Sequence, residues 1–408
     1  MLDATDRRTR GRWAALDTAA GGLALDLALY GLSAIFALIT ALTATLPPHR
    51  PWGWIAFTGY LAATLLVVGM LLARRPARIL TTLFTWATVA LLPLVVEAAQ
   101  RAGGRTDRAQ EEVVVVERAG ARLLHTGTPY LSHHAIAALP PDERLLGYLP
   151  YQPGMALFGL PRAVFGVAWW TDARVWFALA TAAALALAAR QLVPGPALLR
   201  AVQAATVLPV CALTLAVGGD DLPVLALCLL ALAYAARHRY GAAGIAIGLA
   251  GALKLFAWPV ALVLLVLARH HRRYALAALG IPVLALLPAA LVDPDATVEN
   301  ILRFPLGRGL VRSPAGSPFP GHLAATLLPA GSAIAAVLLL GAGLVLGGWL
   351  VRRPPVNAAQ AAGVCAVGML AAILLMPTTR FGYLLYPVAY AVWAAALTAP
   401  RSGPTLEA

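Results

Sequence analysis

Lysine and charged residues in general are scarce in this chain of 408 residues. Charged residues make up 12% of the sequence, hydrophobic residues make up 60%, and the mean hydropathy is +0.77. One soluble core cannot bury so much apolar surface, so a soluble globular fold is excluded. The apolar runs at 22–45 and 334–350 have the length and the low charge of bilayer-spanning helices. The sequence therefore predicts a polytopic membrane protein with an all-α fold.

Cysteine is also rare, and so are the signatures of several other protein classes. Cys211, Cys228 and Cys365 lie inside apolar segments at unrelated spacings, which favours neither a disulfide framework nor a metal site. No cleavable signal peptide is expected, because the first dozen residues are polar and basic and the first apolar run is too long. No glycine-rich nucleotide-binding motif follows a predicted strand, so a nucleotide-binding fold is not expected.

The positive charge of the chain is arranged as short clusters between apolar segments. The formal net charge is +13, carried almost entirely by arginine. Such clusters are typical of loops on the cytoplasmic side of a membrane, and a nucleic-acid partner is not expected. The clusters lie at 7–12, 74–78, 237–239, 269–273 and 352–353. Placing them inside puts both chain termini in the cytoplasm.

This topology predicts about 11–13 membrane helices, together with external interfacial helices. The spans are expected near 22–46, 53–73, 79–98, 172–193, 200–217, 222–236, 274–291, 323–350, 358–376 and 381–398. Segment 150–166 is either a short span or an interfacial helix. Segment 243–268 lies between two cytoplasmic clusters, so it is expected to form a hairpin of two short helices, broken around 257–259. Two long external loops, 99–148 and 292–321, complete the predicted topology.

Most carboxylates fall on the external side in this topology, and four external elements combine acids and bases as a membrane-surface site requires. The first is segment 109–131, which contains Glu111 and Glu112 near its start. As a helix it has an apolar face that includes Val113, Val116 and Gly120, and Gly127 and Pro129 end it. The alternative is an amphipathic helix without chemistry, lying in the interface.

The second and third elements are an acidic pair and the only lysine of the chain. Asp220 and Asp221 precede an apolar run, and the favoured interpretation is that they cap the helix; binding a metal or ordering a loop are the alternatives. Lys254 lies within an apolar segment, which indicates a polar cavity or an anionic partner. Snorkelling to the interface is its alternative, but the adjacent helix break favours the cavity.

The fourth element is a set of external arginines. Arg303, Arg308 and Arg312 lie in the second external loop, and Arg380 lies in the tight turn between the last two spans. Guanidinium groups bind phosphate through forked hydrogen bonds, so the set is suited to a phosphate or pyrophosphate group. Contacts with ordinary lipid headgroups would use the same residues.

Taken in order, these segments resemble the GT-C superfamily of integral-membrane glycosyltransferases. Within it they are most similar to glycosyltransferase family 87, which includes polyprenol-phosphate-mannose-dependent mannosyltransferases of actinobacteria. The resemblance rests on EEVVVVERAGARLLHTGTPYL, PYQPGMALFGLPR, GGDDLPVLAL, AGIAIGLAGALKLFAWP and TRFGYLLYP, and it covers most of 80–398. It implies an N-terminal tail with two additional helices (1–78), a GT-C catalytic membrane module (79–291), and a C-terminal part with the second external loop (292–408).

The resemblance also implies roles for individual residues. It places the catalytic carboxylate at Glu112, where the family usually has aspartate, with Glu111 as the alternative. It assigns the donor phosphate to Arg380, Tyr383 and Lys254. The residues expected to order the site or to bind the acceptor are Asp220, Asp221, His133, His134, Arg303 and Arg312.

The implied reaction is the transfer of a sugar, with mannose expected, from a polyprenyl-phosphate donor to a lipid or glycan acceptor at the external face of the cytoplasmic membrane. One base deprotonates the acceptor in a single inverting displacement, and cations stabilise the departing phosphate. No cofactor or metal site is expected, although the sequence does not exclude a divalent metal. The expected partners are the two substrates and membrane lipids, and the oligomeric state is not fixed. The competing hypothesis is a transporter or flippase for a lipid-linked substrate.

Overall fold

A computed structural model describes residues 19–268 and 272–398. In these two ranges the regular structure is helical, apart from one isolated bridge between Gly316 and Thr379. The predicted all-α class is therefore confirmed. The basic cluster at 7–12, Arg269 and both chain termini lie outside the described residues.

Three long apolar helices open the described chain. They are α1 (Leu23–Thr43), α2 (His49–Ala73) and α3 (Arg78–Ala102). The ring nitrogen of Trp52 on α2 donates to the carbonyl of Val89 at 2.9 Å. The hydroxyl of Tyr60, also on α2, donates to the carbonyl of Val207 at 2.6 Å. The first bond joins α2 to α3, and the second fastens these N-terminal helices to the rest of the bundle.

The first external loop of the predicted topology is largely helical. Its helices are α4 (Glu111–Thr126), α5 (His133–Ala137) and α6 (Arg144–Gly147). After the loop, a 3₁₀ turn at Pro153–Gly159 leads to α7 (Leu160–Phe165). Gly127 ends α4 with φ 77°, as its sequence predicts. Segment 150–166 contains only the 3₁₀ turn and the six residues of α7. That is too short to cross a bilayer, which leaves the interfacial alternative.

Helix α4 lies directly against the 3₁₀ turn. Gly120 and Gly159 face each other across this contact, and a Cβ atom at Gly159 would lie 2.9 Å from the Cα atom of Glu117. No larger residue fits without displacing the backbone. This close approach fixes α4, and with it the first-turn carboxylates, relative to the bundle.

The central helices follow in the predicted order. They are α8 (Ala173–Gln191), α9 (Pro196–Thr206), α10 (Pro209–Val217), α11 (Asp221–Ala236), α12 (Tyr240–Leu253), α13 (Trp258–Leu267) and α14 (Arg272–Val292). Helices α9 and α10 are bent by 42° relative to each other, and together they are long and apolar enough to count as one broken span.

Helices α12 and α13 are the two short helices predicted for 243–268. An open cavity is lined by Arg239 together with Arg272 and Arg273, so the two basic clusters that flank the hairpin lie side by side. The break begins at Lys254, which is extended with φ −154° and ψ 144°, not at the predicted 257–259. Pro259 sits in the first turn of α13, where its missing N–H breaks no helical hydrogen bond.

The C-terminal part contains α15 (Pro294–Val298), α16 (Pro320–Leu327), α17 (Gly331–Arg352), α18 (Ala358–Leu375) and α19 (Leu385–Leu397). The span predicted at 323–350 starts later than expected, because α16 is a separate short helix and α17 alone is long and apolar enough to cross a membrane. Pro329 disfavours the helical conformation of the preceding Leu328, which is extended with ψ 146°. Ala330 then adopts φ 55°, and a new helix starts.

By length and composition, seven helices in the described ranges are able to cross a membrane, or eight if the bent pair counts as one span. Four shorter apolar helical segments accompany them: Asp221–Ala236, Tyr240–Leu253, Leu255–Leu267 and Phe381–Leu397. Large apolar side chains cover the outside of the bundle, for example Leu72 at 82% and Val351 at 77% exposure. The protein is thus a multi-pass membrane protein.

Candidate active site

A cavity of about 380 Å³ lies where three elements meet: the start of α4, the break between α12 and α13, and the turn between α18 and α19. It is lined by five of the residues that the sequence marks as site candidates, namely Glu111, Glu112, Lys254, Arg380 and Tyr383. The fold therefore gathers carboxylates and cations from distant parts of the chain in one cavity.

Glu112 and Arg380 form an ion pair at this cavity. Nη1 of Arg380 bonds to Oε1 of Glu112, and the two side chains are 33% and 12% exposed. Burial alone lowers the pKa of Arg380, but the negative charge of Glu112 raises it above its ordinary value. Glu112 lies in the first turn of α4, where the unpaired backbone N–H groups also stabilise a negative charge.

The backbone on both sides of Arg380 is anchored. The N–H of Thr379 donates to Ala315 at 3.0 Å, and the carbonyl of Thr379 accepts from Ser317 at 2.9 Å. The N–H of Phe381 donates to the hydroxyl of Ser317 at 3.0 Å. The arginine therefore projects into the cavity from a turn that the second external loop holds in place.

Glu111 lies beside the pair and lines the same cavity, with no hydrogen bond or ion pair to Arg380. Burial raises the pKa of this carboxyl, the neighbouring charge of Glu112 raises it further, and Arg380 partly opposes both. The two glutamates thus have different surroundings: Glu112 is bound to a cation, whereas the pKa of Glu111 is raised by burial and by its neighbour.

Lys254 lies deeper and is surrounded by acids and aromatic rings. Its Nζ atom is 2.8 Å from Asp220 and 2.6 Å from Asp221. The ring centroids of Tyr151 and Tyr383 lie 5.0 Å and 5.4 Å from the same atom. Only 6% of Lys254 is exposed, so the snorkelling interpretation is wrong and the predicted polar cavity is present.

The capping interpretation of Asp220 and Asp221 is also wrong. Neither side chain makes a capping hydrogen bond at the start of α11. Both bond to Lys254, and Asp221 also accepts from the hydroxyl of Tyr386 at 2.7 Å. A buried ammonium needs compensating negative charge, which explains the choice of partner.

The walls of the cavity are mainly apolar. One side is formed by membrane helices and the hairpin break: Leu255, Phe256, Pro259, Met369, Ala372 and Met376. The other side is formed by the external segments: Leu145, Tyr148, Pro150, Phe304, Pro305, Ser313, Pro314 and Ala315. A second cavity of about 270 Å³ shares Pro259, Met369 and Ala372 with the first and continues between α13, α17 and α18. The charged centre therefore adjoins an apolar groove in the membrane part.

The remaining site candidates are not at this cavity. Nδ1 of His133 is 3.2 Å from Glu299, and His134 is exposed beside it. Nη1 of Arg303 lies 3.1 Å from Asp295 and 3.3 Å from Glu299. Arg312 is exposed. None of these four lines the cavity, and His133 and Arg303 bond within the external loops instead.

Glu299 is the centre of this supporting cluster. Burial raises its pKa, but hydrogen bonds from Tyr148, His133 and Arg303 outweigh burial, so the pKa lies below its ordinary value. The hydroxyl of Tyr148 donates to Glu299 at 2.8 Å and accepts from the N–H of Leu310 at 2.8 Å. The cluster joins the two external loops that form one wall of the cavity.

A buried ionic network behind α4 was missed in the sequence. Arg101 binds Glu117 with distances of 2.7 Å and 2.6 Å and reaches Asp172 at 3.0 Å. Arg174 binds Asp172 at 2.9 Å and Glu97 at 3.2 Å. The network fastens α4 to α3 and α8. Its sequence signal was the charge placed at the ends of apolar spans, which is expensive unless it is paired.

No cluster of three or more His, Cys, Asp or Glu side chains arranged for a metal occurs in the described ranges.

The fold and the site define an integral-membrane protein with an acid–base cavity at one end of its helical bundle. The family model described as "Glycosyltransferase family 87" matches residues 148–378, more than half of the chain. The chain therefore belongs to glycosyltransferase family 87, as the resemblance of its motifs implies. The matched region contains Lys254 and its two aspartates but neither Glu112 nor Arg380.

Two solved structures of ArnT from Cupriavidus metallidurans are similar to the chain. The apo structure has a TM-score of 0.46 and 16% identity, over 77% of this chain and 58% of ArnT. The structure bound to undecaprenyl phosphate has a TM-score of 0.45 and 16% identity, over 76% of this chain and 58% of ArnT. The matched part thus spans little more than half of the length of ArnT. No curated protein sequence matches the chain.

Proposed function

We propose that this protein transfers a sugar, with mannose as the candidate, from a polyprenyl-phosphate donor to a lipid or glycan acceptor at the external face of the cytoplasmic membrane. One observation carries the proposal: the cavity places Glu111 and Glu112 opposite Arg380 and Lys254, next to an apolar groove. Membership of family 87 supports glycosyl transfer, and the groove suits the lipid part of such a donor.

The donor phosphate is assigned to Arg380, with Tyr383 beside it. An arginine has five N–H donors, and among the described residues only Glu112 accepts a hydrogen bond from Arg380. The other donors are available for phosphate oxygens. Lys254 stays a candidate for a further contact, because an ammonium has three donors and two of them are directed at the aspartates.

The base is assigned to Glu112, with Glu111 as the alternative. The carboxylate takes the proton of the acceptor hydroxyl while that oxygen forms a bond to the anomeric carbon. The bond between the anomeric carbon and the phosphate oxygen breaks, and the electron pair leaves with the polyprenyl phosphate. Arg380 stabilises this leaving group, and a single displacement inverts the anomeric configuration.

The test uses the purified full chain in lipid nanodiscs with a labelled polyprenyl-phosphate mannose and a glycolipid acceptor. We expect an inverted glycosidic product from the wild-type protein and none from a Glu111→Gln, Glu112→Gln double variant. Glu143→Gln is the matched control, because Glu143 is an external glutamate paired with Arg118 away from the cavity. Absence of transfer from a panel of polyprenyl-phosphate sugars, together with movement of such lipids across proteoliposome membranes, would instead establish the transporter.

A further inference from the structure

The same ion pair contains both of the groups that the proposed reaction uses in different roles. Glu112, the assigned base, forms an ion pair with Arg380, the assigned phosphate ligand. A carboxylate bound to a guanidinium is a weaker proton acceptor than a released one. An arginine neutralised by a carboxylate is likewise a weaker ligand for phosphate. In the observed arrangement each group therefore suppresses the function of the other.

The alternative cation does not relieve this conflict. Lys254 is compensated by two aspartates and is 6% exposed, whereas the side chain of Arg380 is 33% exposed and faces the cavity. An incoming phosphate thus meets Arg380 with a single competing carboxylate. To bind Lys254, the phosphate would have to compete with two carboxylates, Asp220 and Asp221, that are buried together with the lysine.

The two partners also differ in their freedom to move. The turn that carries Arg380 is held by backbone hydrogen bonds to Ala315 and Ser317. Helix α4 is held further along by the Gly120–Gly159 contact and by the Arg101–Glu117 pair. At the start of α4 the N–H of Gln110 donates to the carbonyl of Val217 at 2.9 Å and its side chain bonds to His49 at 2.8 Å, whereas the Glu112 side chain is held by Arg380. Rotation of the Glu112 side chain is therefore sufficient to open the ion pair while both backbones stay in place.

We infer that the donor phosphate displaces Glu112 from Arg380 and thereby releases the base. This inference rests on the proposed function. The phosphate oxygens take the guanidinium donors, and the freed carboxylate turns toward the acceptor hydroxyl. The base becomes competent only in the presence of donor, so the donor acts before the acceptor is deprotonated.

A simpler arrangement predicts a different result. If phosphate used the spare donors of Arg380 while Glu112 stayed bound, Glu112 would influence binding only through its negative charge. Under displacement, the reach of the side chain matters as well. Glu112→Asp separates the two cases, because it keeps the charge and shortens the side chain by one methylene. Glu111→Gln measures the charge effect alone, since Glu111 lines the same cavity without bonding to Arg380.

The experiment measures the affinity of synthetic undecaprenyl phosphate for the full chain in nanodiscs, with thermal melting as the check on folding. We expect Glu112→Gln and Glu112→Asp to bind about tenfold more tightly than wild type, the size of one lost charged hydrogen bond, and Glu111→Gln to change binding much less. Equal affinity of wild type and Glu112→Gln would overturn displacement, and so would tight binding by Glu112→Gln with wild-type affinity for Glu112→Asp.

Failure of the proposed function gives a separate result. In that case the wild-type protein neither binds undecaprenyl phosphate nor transfers sugar from any polyprenyl-phosphate donor. This result would reject both the proposed function and the displacement. Transfer by the wild type without the affinity gain in the Glu112 variants rejects the displacement alone.

Discussion

Glu112 and Arg380 are 268 positions apart in the chain and form an ion pair at the rim of one cavity. The pair joins the first turn of α4 to the turn before α19. It brings a carboxylate to the position of the assigned base and a guanidinium to the position of the assigned phosphate ligand. The predictions below follow from this pair and from the buried charges that hold its surroundings.

The first prediction decides between the two glutamates. Loss of a general base lowers a reaction rate by about 10²–10⁴-fold, so Glu112→Gln is expected to lose transfer by this factor. Glu111→Gln should retain transfer within about tenfold, because Glu112 and not Glu111 is in contact with Arg380, the assigned ligand of the leaving phosphate. Initial rates with saturating donor measure both. The reverse order of the two losses would assign the base to Glu111.

The second prediction concerns Lys254. Replacing it by methionine leaves Asp220 and Asp221 buried without a counter-charge, which is expected to destabilise the protein by about 3–5 kcal/mol. The triple variant Lys254→Met, Asp220→Asn, Asp221→Asn removes the whole ionic group and should recover most of that stability. Thermal melting in detergent compares the three proteins. A single variant as stable as wild type would show that the buried ion group does not stabilise the fold.

The third prediction compares two glutamates that lie in or next to α4. Glu117 is buried and bonds to Arg101 and Arg162. Glu117→Gln is expected to cost about 3–5 kcal/mol, because Arg162 loses this carboxylate and Arg101 keeps only Asp172, which it shares with Arg174. The matched control is Glu143→Gln. Glu143 pairs with Arg118, and the side chains of Arg118 and Glu143 are 41% and 45% exposed. An exposed pair contributes about 0–1 kcal/mol. Equal effects of the two substitutions on unfolding would refute the supporting role of the buried network.

The fourth prediction is a pH dependence at Glu111. Burial and the charge of Glu112 raise the pKa of this carboxyl in the folded state, so the folded chain holds the proton to a higher pH than the unfolded chain. Stability is therefore lost as the pH rises from the ordinary glutamate value through the raised one. Glu111→Gln removes this loss. Melting temperatures of the two proteins between about pH 4 and about pH 7 should diverge with rising pH, and a constant difference would contradict the assignment.

The sequence predicted the order and the approximate ends of most helices. Long apolar runs separated by arginine clusters define spans locally, and the hairpin followed from the two clusters that flank it. The break at Leu328–Ala330 was missed because one proline inside an apolar run does not by itself end a helix. The start of the hairpin break was misplaced because the proline of the segment is compatible with the first turn of α13.

The site was predictable to the extent that single residues break a local pattern. Lys254 stood out as a lysine in an apolar segment, and Glu112 and Arg380 as charges at the edges of spans. The partners did not follow from the sequence. Pairing of Lys254 with both aspartates, and of Arg101 with Glu117, depends on which helices pack together. For the same reason, nothing local indicated that His133 and Arg303 meet at Glu299 instead of at the cavity.

The most direct test of the account is a density map of the full chain in a nanodisc with bound polyprenyl phosphate. We predict phosphate density within hydrogen-bond distance of Arg380, lipid density along the groove between α13 and α18, and a Glu112 side chain turned away from the guanidinium. Phosphate density at any other site, with the cavity empty and the Glu112–Arg380 pair intact, would contradict it.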